Sequence, residues 1–158
     1  MSLSIQRVNK DNWRELVKLK VREDQAQFVA SNVYSIAESQ FGYEEPDGSR
    51  WEMYPFGIYD SETPVGFFMY GYNFFNHDFQ AFIARLMVDQ NHQGKGYGKF
   101  GMEKMLEIFC KDDRIQCVGI SYEPDNDVAR KLYANLGFVE TGDMLEGEVV
   151  AVCKIREA

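Results

Sequence analysis

The stretch Gln93-Gly94-Lys95-Gly96-Tyr97-Gly98 constrains this chain more than any other, because of what lies on either side of it. Before it, residues 81–88 (Ala-Phe-Ile-Ala-Arg-Leu-Met-Val) form an apolar run that reads as a buried strand. After it, residues 99–111 place Phe100, Met105, Leu106 and Phe109 on one helical face. Strand, glycine-rich turn and helix is an arrangement that holds a phosphate. Glycines let the backbone come close to the ligand, and the unpaired N–H groups of the first helical turn point at its charge. A phosphorylated ligand is therefore expected at this turn, against the blander alternative of an ordinary flexible loop.

Spacing narrows the ligand. A Walker-type loop requires Ser or Thr after its Gly-Lys, and here Met102 and Glu103 follow Gly101, so that motif fails. The dinucleotide fingerprint Gly-x-Gly-x-x-Gly is matched by Gly96, Gly98 and Gly101, with Glu123 roughly 20 residues further on. A dinucleotide turn follows its strand directly, however, whereas residues 89–93 intervene here, and the chain leaves no room for a full Rossmann domain. A better match is Gln/Arg-x-x-Gly-x-Gly/Ala, filled by Gln93, Gly96 and Gly98. A second motif lies downstream in Asn126-Asp127-Val128-Ala129-Arg130-Lys131-Leu132-Tyr133, continuing to Gly137-Phe138. In order and spacing the two resemble the acetyl-CoA pyrophosphate loop and the Asn-x-x-Ala-x-x-Leu-Tyr signature of the GCN5-related N-acetyltransferases (GNAT), and the resemblance extends over essentially the whole chain.

Composition bounds the reading. At 158 residues the chain is expected to be one domain, residues 1–158, with a core large enough to fold alone. Twelve Phe and nine Tyr within a 45% hydrophobic composition set it apart from disordered sequences. No apolar run approaches the roughly 20 residues of a membrane span, and no leader is visible, so a cytoplasmic protein without membrane partners is expected. Cys110, Cys117 and Cys153 show no metal spacing and read as reduced core thiols; no metal is expected. A net charge of −8 without a basic stripe argues against nucleic acid.

Residues 4–8 alternate like a strand, and Asp11 or Asn12 caps a helix through about Arg22 whose apolar face is Trp13, Leu16, Val17 and Leu19. Residues 25–39 form a second helical region broken near Ser31-Asn32, and 41–51 a loop. Residues 53–59 and 65–72 are strands of a hairpin, 115–122 the strand after the glycine-loop helix, and 127–135 a helix stopped by Gly137. Residues 138–141 and 149–155 close the sheet around a loop at 142–147. The result is an α/β fold: the GNAT-like single-domain, mixed and mostly antiparallel central sheet flanked by helices that the resemblance also implies.

The resemblance implies the site. Acetyl-CoA would serve as cosubstrate, its pyrophosphate held by Gln93, Gly94, Lys95, Gly96, Tyr97, Gly98 and Lys99. Its pantetheine arm would lie along Leu86, Met87 and Val88 on a strand bulged away from its neighbour, with Asn126 and Ala129 on the other side. Tyr133 would be the general acid: a phenol with a pKa of about 10 is protonated at neutral pH yet able to pass a proton to a thiolate of pKa about 8.5. Without the resemblance Tyr133 would read as a core aromatic. The base stays open among Glu38, Glu23, Asp24 and His92, with His77 weaker, because no motif marks a carboxylate.

Residues 25–38 are similar to a segment of the bacterial spermidine/spermine N-acetyltransferases, which implies a small-molecule polyamine as acceptor. A flexible polycation wants spaced carboxylates and aromatic faces. Glu23, Asp24, Tyr34 and Glu38 are the expected substrate-binding residues, with Glu44, Glu45, Phe41, Tyr43, Trp51 and Tyr54 as further candidates. Alternatives are another amine (an amino sugar, a diamine or a peptide N-terminus), a non-catalytic acyl-CoA-binding module, or the dinucleotide-dependent oxidoreductase raised above. A homo-oligomer is compatible with the many aromatics, with no subunit number fixed.

Overall fold

A computed structural model describes residues 1–156. In chain order they form β1 (Leu3–Arg7), α1 (Trp13–Leu16), a 3-10 turn (Glu23–Phe28), α2 (Asn32–Phe41), β2 (Tyr43–Glu44), β3 (Arg50–Asp60), β4 (Thr63–Tyr72), β5 (Ala81–Val88), α3 (Tyr97–Cys110), β6 (Cys117–Tyr122), α4 (Asp127–Asn135), β7 (Val139–Leu145) and β8 (Glu148–Lys154). The sheet order is β1-β3-β4-β5-β6-β8-β7, with β2 pairing β3. Every pair is antiparallel except β5 with β6, whose connection runs through α3. This is the expected mixed, mostly antiparallel sheet.

The centre of the sheet is covered on both faces, which is why β4 reads as an unbroken apolar run. Successive residues alternate between the two sides. Phe68 and Tyr70 join Ile83, Met102, Met105, Phe109 and Tyr133 in the larger core, under α3 and α4. Phe67 and Met69 join Met87 in a smaller core that Leu19, Val21, Val29 and Ile36 cover. Among the described residues no helix is long and apolar enough to cross a membrane.

Several expectations need correction. The helix predicted through Arg22 ends at Leu16. Beyond it the chain is pulled straight: the Lys20 N–H donates to Asp89 Oδ1 at 2.9 Å and its carbonyl accepts from the Gln90 N–H at 2.7 Å. Leu19 and Val21, two apart, pack on the smaller core as extended residues do. Trp13 is left partly exposed outside both cores, under the Arg14 guanidinium. The segment read as a loop after α2 is a short hairpin, Tyr43 facing Trp51 and Glu44 facing Arg50. Trp51 is buried there against Phe79 and Phe82, with its indole N–H on Glu45 at 2.8 Å. The first of the C-terminal strands, β7, runs on to Leu145, beyond the predicted 138–141, and turns tightly into β8 at Glu146-Gly147, both at positive φ. Cys110 is exposed rather than a core thiol, while burial raises the pKa of the Cys153 thiol above its usual range.

Arg156 closes the loop leaving α3 by donating to the carbonyls of Cys110 (2.7 Å), Asp112 (2.6 Å) and Ile115 (2.5 Å). Arg156→Ala is expected to cost about 1.5–3 kcal/mol, the range for hydrogen bonds to a charged group. A denaturation midpoint lowered at constant slope would show this, and an unmoved midpoint would refute it.

Candidate active site

The site begins with a mismatch between strands. Met69 of β4 faces Arg85 and Tyr70 faces Ile83, so Ala84 has no opposite residue and bulges from the ladder. On its other side β5 pairs β6 only as far as Ile83 with Ile120. Past that point β6 continues against β8 to Tyr122, and β5 continues against β4 to Val88. The two strands part, and a cleft of about 1050 Å³ opens between them, running from the glycine loop to the β7–β8 turn.

The loop after β5 is tied down at its base and open at its tip. Asp89 is buried; its N–H donates to Val65 O at 2.9 Å, and its carboxylate accepts from the Lys20 and Asn91 N–H groups. The Gln93 amide donates to Val88 O at 3.0 Å and Gln25 Oε1 at 2.9 Å, and accepts from Arg22 Nη1 at 3.0 Å. That side chain is fully engaged in fastening the loop to β5 and to the 3-10 turn, which leaves only the backbone to meet a ligand. Gly94 and Gly96 are left-handed, with φ of 79° and 86°, and open space where a Cβ would stand. Gly96 begins α3 without a side-chain cap. Among the described residues, the backbone N–H groups of residues 93–99 find no acceptor. Consecutive unfilled donors at a helix start form a cradle for an anion. Tyr97 fixes the first turn by donating to Asp60 Oδ2 at 2.6 Å.

Across the cleft stands α4. Asn126 caps it by accepting from the Ala129 N–H at 3.2 Å. One helical turn later Tyr133 lies buried at the cleft wall, beside the rings of Tyr122 and Phe138. Burial, then the charge of Glu148 and then Tyr122, push its phenol well above the usual value, and no hydrogen bond to a described residue is among the influences on it. Tyr133 therefore holds its proton throughout the neutral range. It can give a proton and cannot serve as a resting base.

Of the residues expected at the cofactor, Leu86, Met87, Val88, Gln93, Gly94, Gly96, Tyr97, Gly98, Asn126 and Ala129 line this one cleft; Lys95 and Lys99 do not, and Lys99 lies 3.8 Å from Glu103 along its own helix. The acceptor candidates are scattered. Asp24 lines the cleft, but Glu23 does not, and Tyr34 is 59% exposed on α2. Glu38 is turned to Arg85, 3.5 Å away. Phe41 and Tyr43 are exposed outside the cleft and Trp51 is in the core. His92 packs edge-on to Tyr97, and His77 lies in the turn after β4, near Asp47. Carboxylates not expected at the acceptor line the cleft instead: Glu123, Asp125, Asp127, Glu146 and Glu148. Two arginines face them, Arg22, paired with Asp24 at 3.3 Å, and Arg85. A lone arginine in the apolar run 81–88 was the one visible hint of the second. Among the described residues, no group of three or more His, Cys, Asp or Glu is placed to hold a metal ion.

Comparison with known proteins agrees with this geometry. The spermine/spermidine N(1)-acetyltransferase of Bacillus subtilis (strain 168) is 27% identical, over 96% of this chain and 98% of that enzyme. The spermidine N-acetyltransferase of Vibrio cholerae, solved with CoA and spermine, superposes with a TM-score of 0.70 at 16% identity, covering 96% of this chain and 93% of that one. The aminoglycoside acetyltransferase AAC(6')-Ib, solved with coenzyme A, superposes with a TM-score of 0.73 at 14% identity, covering 97% and 95%. Structural likeness at these identities speaks for the fold and does not choose among acceptors. The model of the Acetyltransferase (GNAT) family matches residues 13–138, and the chain belongs to that family.

Proposed function

We propose that the protein transfers the acetyl group of acetyl-CoA to a primary amine of a spermidine- or spermine-like polycation, by direct attack within a ternary complex. One observation carries the reading: the parting of β5 from β6 opens a single acid-lined cleft that holds both the unfilled N–H cradle and Tyr133. In this reading residues 93–99 take the pyrophosphate, aided by the α3 dipole and by Lys95 and Lys99 at longer range. Leu86, Met87 and Val88 guide the pantetheine arm with their backbone, and a β5 N–H meets the charge that develops on the thioester oxygen. Asn126 and Ala129 form the opposite wall.

The amine attacks the thioester carbon, the C–S bond breaks, and Tyr133 protonates the departing thiolate. Since an alkylammonium has a pKa of about 10.4, the amine must shed its proton before attack. Asp24, Glu146 and Glu148 are the carboxylates proposed to seat the remaining ammonium groups and to take that proton through water. With only Arg22 and Arg85 opposing six lining carboxylates, the cleft favours a cation over an anion. The similarity to enzymes named for spermine and spermidine supports the same reading of the acceptor.

Coenzyme A release from acetyl-CoA should be supported by spermidine and spermine in preference to an amino sugar or a short peptide. Tyr133→Phe should lower kcat by the 10²–10⁴-fold expected of a lost acid, at nearly constant KM. Turnover confined to the sugar or the peptide would remove the polyamine. A phenylalanine variant with parental kcat would remove Tyr133 as the acid.

The pH profile follows from the raised phenol. Rate should climb with pH as the amine deprotonates and show no falling limb below about pH 10, the usual tyrosine value, because Tyr133 keeps its proton beyond that point. A descending limb near pH 8–9 assigned to Tyr133 would contradict this. Gly96→Val forces a β-branched residue into a left-handed backbone at the cradle. The KM for acetyl-CoA should rise by at least about tenfold, the equivalent of losing one or two charge-assisted hydrogen bonds, with the amine KM unmoved; an unchanged acetyl-CoA KM would place the pyrophosphate elsewhere.

A further inference from the structure

Arg85 is the one charged residue of β5, and it immediately follows the bulge. Its guanidinium folds back onto its own strand. Nη1 donates to the carbonyl of Ala84 at 2.8 Å, and Nη2 lies 3.5 Å from Glu38 Oε1 of α2. Both side chains are half-buried, 21% and 26% exposed. Nε is buried and has no hydrogen-bond partner among the described residues. A buried, unpaired donor destabilises the fold, and a methionine would fill similar space without one. What the arginine contributes must therefore come from the groups its other nitrogens hold.

Those groups lie where the site is made. Ala84 is the residue β4 cannot match, so its carbonyl sits at the break in the ladder, just past Ile83, the last residue at which β5 pairs β6. We propose that Arg85 is a positioning residue: it holds the Ala84 carbonyl, and with it the path of β5 beside the thioester, while Glu38 anchors the guanidinium to α2. The proposal rests on the acetyl-transfer reading of this cleft. It gives Glu38 a role other than the acceptor contact or base expected from sequence, and makes the seating of α2 one of the determinants of the reacting geometry. Met87, two residues on and facing the same way, reinforces the link by packing in the cluster that Ile36 of α2 covers.

The test is steady-state kinetics, with acetyl-CoA and amine both varied, on wild type, Arg85→Met, Arg85→Lys, Glu38→Gln and the Glu38→Gln/Arg85→Met double variant. Misplacement without loss of a ligand contact predicts that Arg85→Met lowers kcat by about 10–100-fold with the acetyl-CoA KM little changed. Arg85→Lys should recover part of the loss, since an ammonium can still reach one carbonyl but cannot also span to Glu38. The double variant should be no worse than Arg85→Met alone, because the two residues act in series. A kcat near that of wild type in Arg85→Met, or losses that multiply in the double variant, would overturn the proposal.

Hydrogen exchange of residues 84–88 reads the same variants without turnover. Both Arg85→Met and the isosteric Glu38→Gln should speed exchange there, and exchange equal to wild type in both would overturn the proposal. Wild type that turns over none of the amines tested would count against the acetyl-transfer reading instead, and exchange alone would then decide the role of Arg85.

Discussion

At Ala84 the pairing of β4 with β5 slips by one residue, and the parallel pairing of β5 with β6 stops at the residue before it, Ile83. A sheet that kept its ladder through this point would have no interior opening, and its backbone groups would all be spent on one another. The slip frees backbone on both sides of the gap, where Leu86, Met87 and Val88 line the cleft. It also sets the distance from the gap to the glycine loop, because only Asp89 to His92 separate the end of β5 from Gln93.

An open sheet of this kind must be held by something other than its own ladder. Two devices do this. Side-chain packing on both faces fixes β4 and β5: Phe68 and Tyr70 pack on one side and Phe67 and Met69 on the other. A polar network then fixes the loop, with Asp89 and Gln93 binding it to the segment around Lys20, Arg22 and Gln25. The cradle of N–H groups is thus built in advance of a ligand. A site whose donors need no rearrangement gives more stabilisation to developing charge than one that must be assembled.

Much of this was legible in the sequence where local chemistry and tertiary demand agree. The bounds of β5 and of α4 follow from an apolar run before Asp89, and from Asn126 capping a helix that Gly137 ends. The helix expected through Arg22 failed because spacing alone cannot tell Leu16 and Leu19 on one helical face from Leu19 and Val21 on one side of an extended chain, and contacts to Asp89 and Gln90 chose the latter. The bulge at Ala84 has no local signature and came only with the family resemblance. Glu146 and Glu148 were invisible for a different reason. They reach the cleft because β8 lies beside β6, a neighbour relation that sequence order hides. Glu38 was picked out as a carboxylate for a substrate, whereas its partner is an arginine far along the chain.

The central claim is that the unfilled N–H groups of residues 93–99 are the seat of the cofactor's pyrophosphate. Following backbone amide proton shifts while coenzyme A is titrated into the protein tests this most directly. The account predicts saturable downfield shifts across residues 93–99, accompanied by changes at Leu86 and Val88 and absent with pantetheine alone for the loop. Saturable binding that leaves the loop amides unmoved would contradict it.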